Sequence, residues 1–347
     1  MLGAYRLCLA LLVALSHCGV SIAGLNPGVF AVVGFYVVSG YVMTGLLRNH
    51  YAGVRGIPRF YADRVLRLFP HYLAIGILTF VWFATTRAHT EYLRITPNAA
   101  DFLNNLLVVP LNFYMFNHSD EFTLIPPAWS LGAEIQFYLV VPFALLAAGV
   151  YVRRWLIAAS AAVFIVASFG YINSDWYGYR LLPGVLFMFL LGSSLYDLHH
   201  ASSSRMSGAL LCGAIAAIAA IMWMALALAG KLGLPYNRET LLGLIAGVTA
   251  VNLLAPRRRR ALDDAIGNLS YGVFLSHFLV MWTVFDQHVD EWRDTTVYLV
   301  LSMFTALVMF AAVERPVLAF RHALRKRAAT GHVASATTVG SSRHSVP

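Results

Sequence analysis

The chain has 347 residues; 59% are hydrophobic and 12% charged, about half the roughly 25% charged content of soluble domains. A soluble protein of this length cannot hide so much apolar surface, and the composition also excludes a disordered chain, a collagen-like fibre and a small disulfide scaffold. The net charge of +9 would suggest nucleic acid in a soluble protein, but here the basic residues sit in short gaps between apolar runs, where they report membrane topology.

A polytopic membrane protein remains, and long apolar runs without alternating ten-residue strands select helices over a barrel. A spanning helix needs roughly 20 apolar residues. Spans are predicted at about 3–24, 27–48, 69–86, 128–150, 154–173, 181–198, 207–230, 239–255, 267–287 and 296–314. The first resembles a signal peptide in composition, yet removing it would spoil the charge balance described next. The stretch 99–117 holds Asp101, Asn104, Asn105, Pro110 and Asn112, so it reads as a re-entrant or interfacial segment. With both termini in the cytoplasm, nineteen Lys and Arg residues fall inside and six outside, as the positive-inside rule requires. If 99–117 crossed fully, Arg257 to Arg260 would lie outside. The expected fold is therefore an all-α bundle of about ten transmembrane helices over 1–320, followed by a basic, disordered cytoplasmic tail over 321–347.

Ionisable groups are costly in hydrocarbon, so each is a functional candidate. In chain order, Arg6 and His17 are eleven residues apart, almost three turns, and share a helix face. Ser39-Gly40 in the second span reads first as a small-residue packing contact. Arg64 and Arg67 are helical neighbours whose guanidinium forks can clamp a phosphate; ordinary positive-inside charge is the competing reading. His17 lies about 21 Å above the inner edge and Glu134 about 9 Å below the outer edge, nearly the same depth in a core of about 30 Å. They could form an oriented acid–base pair or be two separate polar contacts between helices. His277 also lies well inside a span, and Glu314 lies near an edge. Three scattered cysteines suit neither a zinc site nor a disulfide framework, so no metal is expected. The nucleophile elbow, the P-loop and the dinucleotide fingerprint are all missing, which leaves intramembrane chemistry centred on His or no chemistry.

Six segments then occur in a familiar order: Arg6 through His17; Phe35-Tyr36-Val37-Val38-Ser39-Gly40-Tyr41; Arg64-Val65-Leu66-Arg67-Leu68-Phe69-Pro70; Trp129-Ser130-Leu131-Gly132-Ala133-Glu134-Ile135-Gln136-Phe137-Tyr138; Gly267-Asn268-Leu269-Ser270-Tyr271-Gly272 through His277; and Glu314-Arg315-Pro316. Together they resemble acyltransferase family 3, bacterial integral-membrane O-acyltransferases that modify glycans and other exported molecules. The acidic residue that the family often carries early in the second span has no counterpart in Gly28-Val29-Phe30-Ala31-Val32-Val33. With nothing long enough after Pro316 for a fused extracytoplasmic domain, a stand-alone transferase is expected.

The resemblance implies an enzyme of the bacterial inner membrane that moves an acyl group, first of all acetyl, from cytoplasmic acyl-CoA to a glycan hydroxyl. It implies His17 as general base or transient acyl carrier, Glu134 as a catalytic partner orienting it, and Arg64 and Arg67 as the acyl-CoA contacts. Arg6, Ser39, Gly40, Trp129, Ser130, Tyr138, Ser270, Tyr271 and His277 are then substrate or support residues, several of them equally readable as helix packing. A transporter of lipid-linked sugars fits the spans and charge bias as well, but it predicts polar residues along a path and often two similar halves, and neither is visible.

Overall fold

The computed structural model describes residues 1–147, 150–200, 205–257, 261–289 and 291–320. The tail expected over 321–347, and Arg258 to Arg260, lie outside the described residues. Twelve α-helices are present among those described: α1 Leu2–Ser16, α2 Pro27–His50, α3 Ile57–Thr86, α4 Ala99–Leu107, α5 Tyr114–Asn117, α6 Ala128–Pro142, α7 Val150–Ser168, α8 Leu182–His200, α9 Arg205–Leu228, α10 Asn237–Leu254, α11 Ala261–Val284 and α12 Trp292–Met309. No β-strand occurs among the described residues. Every long helix reverses the direction of the one before it. One end of the bundle therefore carries the starts of α1, α3, α7, α9 and α11 (the basic end), and the opposite end carries the loops around residues 87–127, 169–181, 229–236 and 285–291.

The protein is an all-α polytopic membrane protein. Eight described helical segments are long and apolar enough to cross a membrane. The other two of the ten expected spans differ. α10 has the length but opens on Asn237, Arg238 and Glu239. α1 stops at Ser16, where the His17, Cys18 and Gly19 amides turn to the carbonyls three residues back and Gly19 takes φ +73°, the left-handed turn with which helices commonly end. Fifteen residues rise only about 22 Å, against about 36 Å for the 24 residues of α2. His17, expected well inside a span, is instead the residue that ends α1. Non-helical backbone at membrane depth is tolerated only where protein buries it or water reaches it, and most of residues 17–24 are exposed.

The third span also differs from expectation. α3 begins at Ile57 and runs 30 residues through Pro70, so Arg64 and Arg67 belong to a continuous helix and not to a loop. The segment 99–117 does not cross as a helix. Asn98 and Asp101 form a capping box that starts α4, and the chain breaks after nine residues at Val108, with φ +65°, a conformation that β-branched residues rarely adopt. Short 3₁₀ turns and α5 follow.

Two close crossings fix the bundle. A Cβ on Gly40 of α2 would lie 1.8 Å from the Phe189 carbonyl oxygen of α8, so Gly40 is a backbone contact, the small-residue packing expected for membrane helices. Gly40→Ala must separate the two helices; overpacking of this kind costs about 1–3 kcal/mol. The variant is expected to unfold at lower temperature than the parent in a detergent melt, and an unchanged transition would count against this crossing. The second crossing joins α1 to α11, where a Cβ on Gly3 would lie 1.8 Å from the Asp263 carbonyl oxygen. The Asp263 carboxylate accepts from the Gly3 and Ala4 amides at 3.1 and 3.0 Å. It thereby satisfies two orphan donors at the start of α1 with a charge that suits a helix N-terminus.

Candidate active site

The α1–α11 crossing brings two histidines together. The rings of His17 and His277 stack with centroids 5.4 Å apart and 26° between planes, and Phe278 packs on His17 at 4.6 Å. His277 is fully buried. Its Nδ1 lies 3.0 Å from the Val273 carbonyl. A carbonyl only accepts, so Nδ1 carries the proton of that bond. Nε2 of His277 is buried without a hydrogen-bond partner among the described residues. His17 differs in that its side chain is exposed. At the broken end of α1 the bundle thus presents one accessible imidazole backed by a buried one.

Glu134 forms a second centre. Its Oε1 accepts from the Ser39 hydroxyl at 2.6 Å and the Tyr138 hydroxyl at 2.5 Å, joining α2 to α6. Arg6 has Glu134, Tyr138 and Arg64 as electrostatic neighbours, and Arg6 and Glu134 are only partly buried. The structure therefore brings Arg6, Ser39, Glu134 and Tyr138 together. It does not bring Glu134 to His17: among the described residues the imidazole makes no hydrogen bond to a carboxylate, and His277 occupies the place beside it. Shared depth was a correct constraint on neither azimuth nor contact.

Arg64 and Arg67 each have an internal partner. Arg64 pairs with Asp63, approaches Met43 Sδ at 3.6 Å and stands over the Tyr138 ring at 5.9 Å. Arg67 pairs with Glu314 and stands over the Tyr271 ring at 5.5 Å. His71 Nδ1 lies 3.4 Å from Glu314 Oε2, and the Tyr271 hydroxyl donates to the Leu68 carbonyl at 3.0 Å. Sequence reasoning missed His71 and the pairing of Arg67 with Glu314. Both sat in motifs already quoted or next to them, but 247 positions separate the two partners.

The other sequence-predicted residues have local tasks. The Ser270 hydroxyl donates to the Gly267 carbonyl at 2.7 Å and the Ser130 hydroxyl to the Pro127 carbonyl at 3.0 Å. Trp129 faces Tyr179 and the guanidinium of Arg180, which lies 4.4 Å from its ring centroid. Arg180 is an electrostatic neighbour of His17; in the sequence it counted only as an outer-loop charge. Among the described residues no cluster of three His, Cys, Asp or Glu side chains could hold a metal ion.

Comparison with known proteins fits this arrangement. A family model described as an acyltransferase domain matches residues 3–314. An uncharacterised protein of Aquifex aeolicus is 39% identical over 197 residues, 55% of this chain and 82% of that protein. The O-acetyltransferase OatA of Staphylococcus aureus is 32% identical over 124 residues, 34% of this chain and 20% of OatA. The chain thus spans about a fifth of the length of that named relative. No solved structure matches the chain. A helical bundle with an accessible histidine and buried ion pairs, matched from residue 3 to residue 314, belongs to the membrane O-acyltransferases of acyltransferase family 3.

Proposed function

We propose that the protein transfers an acyl group, acetyl by analogy with its named relative, from acyl-CoA to a hydroxyl of an exported or cell-surface glycan. The observation that carries this reading is His17: an accessible imidazole at the broken end of α1, stacked on buried His277. In the proposed step the sugar hydroxyl attacks the thioester carbonyl while a nitrogen of His17 takes its proton. The C–S bond then breaks, and the leaving thiolate recovers that proton from the imidazolium. A variant of the same scheme passes the acyl group through His17 as a transient carrier.

The basic end is the proposed cytoplasmic side, with both termini there, in a bacterial inner membrane. Acyl-CoA would arrive at that end. Arg55 and Arg59 are exposed there, and Arg64 and Arg67 stand deeper, so the donor phosphates meet cations on the way in. Because Arg64 and Arg67 already hold carboxylates, a phosphate would join or exchange with existing ion pairs. Glu134, fixed by Ser39 and Tyr138, holds Arg6 in the interior and is assigned a positioning role. Reporter fusions after residues 55, 205 and 330 are expected to signal cytoplasm; a signal from the opposite side at any of them would overturn this orientation.

The functional test is transfer by the purified protein in nanodiscs of label from acetyl-CoA to a panel of surface glycans, with loss of glycan O-acetyl ester in a deletion strain as the cellular counterpart. Unchanged acetylation combined with altered glycan export would replace the transferase reading with transport.

A further inference from the structure

Three segments from distant parts of the chain, around Asn112 and Tyr114, Trp129 and Tyr236, converge on Arg180 and its own neighbours Asp175 and Tyr179 at the end of the bundle opposite the basic one. Its guanidinium lies 4.4 Å from the Trp129 ring centroid, 5.2 Å from Tyr179, 5.4 Å from Tyr114 and 5.9 Å from Tyr236. Its Nε donates to Asp175 at 2.6 Å, and Asn112 donates to its carbonyl at 3.2 Å. Cation–π attraction works in both directions, so the rings hold this cation and the cation holds the rings. Beside it opens a cavity of about 610 Å³ between residues 170–175 and 234–236, within the range of about 300–1,000 Å³ typical of small-molecule sites. Asp175 and Tyr236 belong to both the cavity wall and the Arg180 cluster.

Tyr236 carries a further sign of function. It sits at φ +65°, where a bulky residue is a conformational outlier under strain. The next residue locks it there: buried Asn237 donates to the Ser168 and Lys231 carbonyls, both at 2.8 Å. Strain of this kind is found at ligand clamps more often than in ordinary loops. Tyr171, which also lines the cavity, is 81% exposed.

We propose that this cavity is the acceptor subsite, and that it binds a neutral pyranose unit of the glycan between Tyr236 and Tyr171, with Asn173 and Asp175 reaching its hydroxyls. The inference rests on the transferase reading above. A sugar ring has apolar faces and a rim of hydroxyls. Tyrosines offer an apolar body with a polar tip, and an amide and a carboxylate supply the acceptors and donors a hydroxyl needs. Arg180 is neutralised by Asp175, which disfavours an anion as the ligand. His17 ends α1 at this same end of the bundle, so a sugar held here lies on the side of the membrane that carries the candidate base.

The test is a tryptophan-fluorescence titration of the full-length protein in nanodiscs, with Trp129 and Trp176 as reporters. Chitotetraose and maltotetraose are the neutral probes, and inorganic phosphate is the anionic one. Saturable binding of a neutral oligosaccharide is expected, weakened about tenfold by Tyr236→Asn and by Tyr171→Ala, a change the size of one lost aromatic contact. Asn accepts a positive φ more readily than Tyr, but Tyr236→Asn also takes a ring from the Arg180 cluster, so a detergent melt accompanies each variant, and the exposed Tyr171, which is not one of those rings, carries the test if the Tyr236 variant melts early. Absence of saturable binding by both sugars, affinity unmoved by both variants, or binding of phosphate alone would each overturn the subsite. Acetyl-CoA turnover by the unaltered protein is read in parallel: its absence defeats the transferase reading, whereas turnover without sugar binding defeats only this inference.

Discussion

Replacing His17 with Gln is expected to lower glycan acetylation by about 10²–10⁴-fold, the usual contribution of a positioned general base, with the protein still inserted and folded. Gln keeps hydrogen bonding and approximate size but has no basic nitrogen. The side chain is exposed and no helix depends on its ring, because α1 has already ended at Ser16. A structural role would therefore predict little change. The measurement is initial rate against acetyl-CoA with a fixed glycan, beside a detergent melt. His277→Gln makes the contrast. Its ring is fully buried and anchored at Nδ1 to Val273, so this variant is expected to lower the melting temperature together with the rate. Near-normal acetylation by His17→Gln would send the search for the base to His277 itself.

The sequence showed the fold class and the family, and it failed where long-range packing decides. Segment 99–117 was legible as non-crossing because its amides and proline are local facts, and the structure shows why: Asn105, inside the nine-residue α4, donates to the Asp101 and Phe122 carbonyls at 2.9 Å and so ties that short helix to the loop before α6. Gly40 was legible as packing. Ser39 and Glu134 were named separately, but their hydrogen bond spans 95 residues, and no periodicity reports such a pairing. Hydropathy carried the first span through to residue 24, because a window average cannot register one glycine, Gly19, that turns the chain at φ +73°. That error placed His17 inside a helix and opposite Glu134. The true partner, His277, comes from the Gly3–Asp263 crossing, which neither segment announces alone. Arg180 was lost for a different reason. Counting charge by loop treats every arginine as a topology marker, and only the run Trp176-Tyr177-Gly178-Tyr179-Arg180 hinted at an aromatic setting.

Glu314→Gln is expected to destabilise the folded protein by about 3–5 kcal/mol, the cost of stranding one partner of a buried ion pair. Glu314 is 4% exposed, and it serves both Arg67 and His71. It ties the π-turn Phe310–Glu314 after α12 to the middle of α3. Removing the charge takes from the Arg67 guanidinium, which stands over the Tyr271 ring, the buried carboxylate it pairs with. Arg67→Met combined with Glu314→Gln should recover most of the loss, because the desolvated cation goes with its partner. Arg67→Lys separates stability from donor binding. It keeps the charge that Glu314 needs and gives up the fork that a phosphate would use. If Arg67 also meets the donor, Arg67→Lys raises the KM for acetyl-CoA while the melting temperature stays close to that of the parent. If the Glu314 pair is its whole task, KM holds and only the Gln variant suffers. A Glu314→Gln protein as stable as the parent would show that the pair is not needed to hold α3 against the end of α12.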